Sequence, residues 1–146
     1  NFNHPCKELI WIVKNSGDSS KYKFINFTNN TDIEQGKNTI DSAILQLNGH
    51  DRFSPQPGKY FQNLQVLEHH SHTPDWPGVN VYSFALNPED HQPSGTCNFS
   101  RIDQVTLNLT LTTNTTNDSS ARVRVYATNY NILRFTSGFG GLAYSI

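Results

Sequence analysis

His69, His70 and His72 are the one cluster in this 146-residue chain with the spacing of metal ligands, since alternate residues of an extended segment project to the same side and could share an ion. A metal enzyme built that way wants a glutamate shortly after the pair and another histidine in a later strand. Here Thr73-Pro74-Asp75-Trp76-Pro77 comes next, and only His91 remains downstream. A solvated loop accounts better for the cluster, and no metal or cofactor is expected. Glu89, Asp90, His91 and Ser94 supply the residue types of an acid, a base and a nucleophile, but they crowd into one turn. Catalytic groups converge from separated parts of a scaffold. Glu89 and Asp90 fit turn formation and pairing with a neighbour's cation, and Arg101 with Asp103 fits a local salt bridge or an interface contact. Gly138, Gly140 and Gly141 have the look of a phosphate loop, yet no lysine comes after them and too few residues remain to begin a helix. They fit close backbone approach, at a bulge or where subunits meet. Cys6 and Cys97 can be bridged only if their Cα atoms lie within about 7 Å.

Composition narrows the field. A chain of 146 residues fits one domain and can bury a core. Hydrophobic residues are 35% and aromatics 12%, too many bulky side chains for a disordered segment, although the mean hydropathy of −0.58 indicates a wet surface. The formal charge of −1 and the scattered Lys and Arg leave no basic field for a phosphate backbone, so direct nucleic-acid binding is not expected. No apolar run approaches the roughly 20 residues of a membrane span, and membrane insertion is not expected. The chain lacks methionine and starts at Asn1, which reads as a piece of a longer translation product.

The elements that would position these residues are mostly strands. Leu9, Trp11 and Val13 alternate with Ile10, Ile12 and Lys14, a strand apolar on both faces and hence covered. Residues 22–28 form a second candidate strand, 29–38 a loop, and a further strand begins at Ala43. Residues 52–78 hold four prolines and little pattern, with Tyr60, Phe61, Leu64 and Leu67 spaced for one or two helical turns. Val105, Leu107, Leu109 and Leu111, and then Ala121, Val123, Val125 and Ala127, alternate with polar residues as two half-exposed strands. The polar residues 113–120 between them read as a mobile surface loop, and residues 130–135 as a last strand. Short strands without a long helix predict an antiparallel sandwich.

The stretch VYSFALNPEDHQPSGTCNFSRID, residues 81–103, joins a strand, two tight turns and a second strand with little slack, the turns set by Pro88, Pro93 and Gly95. It resembles the signature of the C-terminal jelly roll of the major capsid proteins of large nucleocytoplasmic DNA viruses. Asn3-His4-Pro5 with Lys7, Glu8, Leu9 and Trp11 is similar to that family's entry into a strand, and Tyr60-Phe61 with His69-His70 to its middle section. Asn129-Tyr130-Asn131, Leu133-Arg134 and the glycine-rich end are similar to its terminus.

The resemblance implies an all-β fold: an eight-stranded jelly roll over residues 1–146, the second of a double jelly roll whose N-terminal partner is absent from this chain. It implies a structural protein without catalytic residues. Pseudo-hexagonal homotrimers would tile an icosahedral shell, contacting neighbouring capsomers and minor capsid proteins above an internal membrane. Assembly would take place in the host cytoplasm, where thiols stay free. Glu89, Asp90, Arg101, Gly138, Gly140 and Gly141 would then be inter-subunit contacts. Six Asn-x-Ser/Thr triplets begin at Asn26, Asn29, Asn98, Asn108, Asn114 and Asn117, of which Asn114 and Asn117 are best placed to carry sugar. The competing readings are a minor capsid protein using the same domain and a carbohydrate-binding jelly roll, with Trp76, Tyr60 or Tyr82 as a stacking platform.

Overall fold

A computed structural model describes residues 2–15, 24–116 and 121–144. Its strands are β1 (Pro5–Lys14), β2 (Ile40–Leu47), β3 (His50–Asp51), β4 (Gln56–Pro57), β5 (Val79–Ser83), β6 (Cys97–Asn98), β7 (Val105–Leu111), β8 (Arg122–Asn129), β9 (Leu133–Thr136) and β10 (Phe139–Leu142). A π-helical turn, Tyr60–Leu64, leads into helix α1 (Gln65–His69); α2 (Thr113–Thr116) is a single turn. No helix among the described residues is long and apolar enough to cross a membrane.

β1 is covered on both faces, as its sequence predicts: Leu9, Trp11 and Val13 point into the core, and Ile12 on the other face is buried too. Both its edges are also used. Residues 8–12 pair antiparallel with β5, and residues 6–14 with β8. β6 pairs with Pro5 and Cys6. Because β8 already occupies the other edge of Cys6, β5 and β6 must succeed one another along the same side of β1. The second sheet repeats this plan around β2, with β3 and β4 on one edge and β7 on the other. Each sheet thus holds four strands but is three strands wide.

The sheets pack over a continuous run of rings. Trp11 meets Phe61 at 5.1 Å between centroids, Phe61 meets Phe53 at 5.6 Å, and Phe53 meets Tyr82 at 4.9 Å. Phe84 and Phe99 extend the run beyond Tyr82. The tilted and edge-on geometry suits ring quadrupoles and adds to plain area burial. Phe61 reaches the core from the π turn, where the sequence places a helical face.

Residues 81–103 form the corner that their turn residues predict. β5 ends at Ser83, Ser94 Oγ accepts from Asn87 N at 2.9 Å and donates to Asn87 O at 3.1 Å, and the chain re-enters the sheet as β6. Two hairpins use two-residue turns with positive φ at both positions: Asn48-Gly49 between β2 and β3, and Ser137-Gly138 between β9 and β10. That is the turn whose twist matches paired strands.

Three expectations change. The candidate strand at 22–28 is not formed over its described part: Phe24 and Ile25 lie in a turn and Thr28 makes only an isolated bridge to Asn38. Asn26 is the cause, because its Oδ1 accepts from Thr28 N and Thr28 Oγ1 while its Nδ2 donates to Asn30 O, a local network that competes with a ladder. The polar stretch after β7 is not all loop, since α2 buries Thr115, whose N–H donates to Thr112 O; residues 117–120 lie outside the described residues. The two alternating strands β7 and β8 are not partners of each other but lie in different sheets.

The buried rings set the scale of stability. Phe61→Ala is expected to lower the unfolding free energy by about 3–5 kcal/mol in urea denaturation, and Phe139→Ala on the exposed β10 by less than about 0.5 kcal/mol.

Candidate assembly surface

The three histidines do not converge. His69 Nδ1 lies 2.9 Å from Leu86 O, and His72 Nδ1 lies 2.9 Å from Ser71 Oγ. His70 stands between two carboxylates, with Nε2 3.0 Å from Glu8 Oε2 and Nδ1 3.2 Å from Glu89 Oε1. The Glu8 contact is close but poorly aligned as a hydrogen bond. Glu8 is a buried carboxylate on β1 that also accepts from Thr128 Oγ1 at 3.0 Å. A buried carboxylate needs polar neighbours. His70 therefore ties the end of α1 to β1 on one side and to the 84–96 corner on the other. Among the described residues no group of three or more His, Cys, Asp or Glu is placed to hold a metal ion.

The acid, base and nucleophile types of the corner are used structurally. Glu89 accepts from Ser71 N at 3.3 and 3.2 Å and from His70, and Ser94 closes the turn on Asn87. Asp90 N donates to Asn87 O, while the side chains of Asp90 and His91 face solvent. Arg101 and Asp103 are exposed and form no ion pair with a described residue. Cys6 and Cys97 sit opposite each other across the β1–β6 ladder as free thiols. Cys6 Sγ donates to Glu8 O, and burial pushes its pKa up to about 12.

The triplets differ in access. Asn26 is buried and fully hydrogen-bonded, whereas Asn114 is exposed on α2; Asn117 lies outside the described residues. The sugar-stacking reading loses two of its three rings. Tyr82 belongs to the aromatic core, and Tyr60 packs edge-on against Phe61 with its hydroxyl accepting from Gln65 Nε2. Only Trp76 is exposed.

The unexpected surface is at the end of the chain. Among the described residues β9 and β10 pair with each other alone, and the hairpin carries Phe135 at 73% exposure and Phe139 at 81%, with Leu133 and Leu142 beside them. Gly138 supplies positive φ for the turn, while a Cβ on Gly138 or Gly141 would meet nothing within 4 Å. Those two relieve no crowding within the chain, whereas a Cβ on Gly140 would come within 3.0 Å of the Phe135 ring. At the hairpin's base a pocket of about 350 Å³ is lined by His4, Tyr130, Ile132 and Tyr144, among others. His4 Nε2 and Tyr130 Oη are buried there without a hydrogen-bond partner among the described residues. The φ of +70° at His4 is held by its N–H donating to Ser100 Oγ and its carbonyl accepting from Phe99 N. The sequence signalled the glycines, but not that an apolar hairpin would stand uncovered.

Hydrogen bonds from Ser71, and then His70, hold the Glu89 carboxyl below its ordinary value of 4.5. A depressed carboxyl stabilises the fold above its unfolded pKa, and that contribution disappears as pH falls through the folded value. The 84–96 corner is therefore expected to become protease-sensitive below about pH 4. Glu89→Gln should make its cleavage rate nearly independent of pH in the acid range, a comparison that limited proteolysis reads directly.

Known proteins agree with this architecture. The family model for the large eukaryotic DNA virus major capsid protein matches residues 1–141. The major capsid protein of Pyramimonas orientalis virus is 46% identical over 99% of this chain and 38% of its own length. That of Chrysochromulina ericina virus is 60% identical over 75% of this chain and 19% of its own. A chain of the PBCV-1 virus capsid superposes with a TM-score of 0.83 at 35% identity, over 100% of this chain and 45% of that one. The present chain thus spans less than half the length of these relatives. Its fold is a jelly roll, and the chain belongs to the large eukaryotic DNA virus major capsid protein family.

Proposed function

We propose that the chain is the C-terminal jelly roll of a longer capsid subunit, which associates as a homotrimer and tiles an icosahedral virion shell. Its role is mechanical and involves no catalysis. The observation that carries the contact surface is the β9–β10 hairpin, because phenylalanines left in water at that exposure mark a protein interface more often than a free surface. Gly138, Gly140 and Gly141 keep the hairpin slim enough for a neighbour's backbone to come close. Asp90 and Arg101, both exposed, supply further charges for inter-subunit contact, and Glu89 keeps one face accessible beyond its contact with His70. Neighbouring capsomers and minor capsid proteins are the further partners, with assembly in the host cytoplasm and an internal membrane beneath the shell.

A shell gains stability because many modest interfaces act together. The formal charge of −1 suits subunits that pack side by side without strong repulsion. Asn114, exposed on α2, is the glycan position we favour, together with Asn117.

Native mass spectrometry of the subunit from virions is expected to show a polypeptide well above 16.5 kDa that stays together in threes. Phe135→Asp with Phe139→Asp should shift it toward monomers while its melting temperature stays within a few degrees. A subunit of 16.5 kDa, or trimers indifferent to the double substitution, would overturn the proposal.

A further inference from the structure

The two sheets are incomplete on one side. An eight-stranded jelly roll has four long strands per sheet, whereas β3 and β4 are two-residue pieces that share one edge of β2 and β6 is a two-residue piece that follows β5 along one edge of β1, leaving each sheet three strands wide among the described residues. Among the described residues the fourth position is unfilled beside β8 in one sheet and beside β7 in the other. Among the described residues, β8 pairs with β1 alone, and residues 105–110 of β7 pair with β2 alone. These positions face one another, because an opening of about 430 Å³ between the sheets is lined by Leu107 of β7, Val125 of β8 and Leu9 of β1, among others.

Burial shows the same gradient. The inward residues of the central strands, Trp11, Val13, Ala43 and Leu45, are at most 2% exposed. Those of β7 and β8 are only half-buried, and Val123, registered opposite Val13, is 47% exposed. Inward valine and leucine side chains are thus wet along one flank and dry elsewhere. Free edges of this length are templates for pairing, and proteins normally blunt them with proline, a bulge or an inward charge. β7, reading VTLNLTL, carries none of these.

We propose that β7 and β8 together form a docking site for two successive strands, supplied by the additional polypeptide that the longer relatives carry. This rests on the capsid-subunit reading above. The Pyramimonas orientalis virus relative is matched over only 38% of its length and the Paramecium bursaria Chlorella virus 1 relative over 42%, so ample chain exists to provide them. Each strand would need about seven or eight residues alternating apolar and polar, its apolar side filling the opening against Leu107 and Val125. The connection between them must cross a sandwich about 10 Å thick, which three or four extended residues span. Arg122 and Arg124 on the outer face of β8 favour acidic residues opposite them.

Hydrogen exchange read by mass spectrometry tests this on the subunit from virions and on the 146-residue chain alone. In the subunit, the amides of 105–110 and 122–129 should exchange as slowly as those of β1. In the isolated chain about half of them should exchange roughly a hundredfold faster. Fast exchange in the subunit would overturn the proposal. Equal protection in an isolated monomer would also overturn it, and protection only in an isolated dimer would assign the edges to a second copy instead. The subunit's mass judges the capsid-subunit reading separately, since a long subunit with fast-exchanging edges sinks only the strand docking.

Discussion

The rest of the structure depends on β1 having to be paired on both edges and covered on both faces. A strand in that position exposes no backbone group to water, so every donor and acceptor must find a partner within the fold. β5 and β8 meet the edges, the aromatic run covers one face, and the 84–96 corner closes on the strand's start where Phe84 and Ala85 donate to Lys7 O. Even the one carboxylate on the strand's buried side has polar neighbours, with Oε1 accepting from Thr128 and Oε2 lying 3.0 Å from His70 Nε2. A loss at β1 is therefore felt in both directions, through the sheet and through the core.

What could be read from the sequence was local. Alternation located β1, β7 and β8, proline and glycine located the 81–103 corner, and the spacing of Tyr60, Phe61 and Leu64 located the helical turn. What escaped was decided by competition or by distance. Residues 24–28 have strand composition, but Asn26 offers the backbone nearer partners than any ladder. β7 and β8 alternate alike, yet nothing in their patterns says that they belong to different sheets, because sheet membership is set by partners far away in sequence. The jelly-roll identity came from a resemblance, while alternation alone reaches only an antiparallel sandwich.

The candidate site divides along the same line. The histidines could be dismissed as a metal centre because no suitably spaced glutamate comes after them, but the placement of His70 between Glu8 and Glu89 required three separated segments to come together. The glycines near the end were visible as a motif, yet Gly140 lies close against the Phe135 ring while Gly138 and Gly141 face open space within the chain. Gly138 sets a turn, and the strands around it carry side chains that the domain itself leaves uncovered. The proposed contact surface is built from what the fold does not use, so inward-looking sequence patterns reveal the scaffold sooner than the surface.

Both residues of the Ser137-Gly138 turn hold positive φ, so the twist of the β9–β10 hairpin is set before anything touches it. A projection that is already ordered loses little conformational freedom when it is captured, and less attraction is then required for each capture. Contacts that need be only weak can be broken and remade, and a closed lattice grown from them can expel a misplaced unit before its neighbours lock it in.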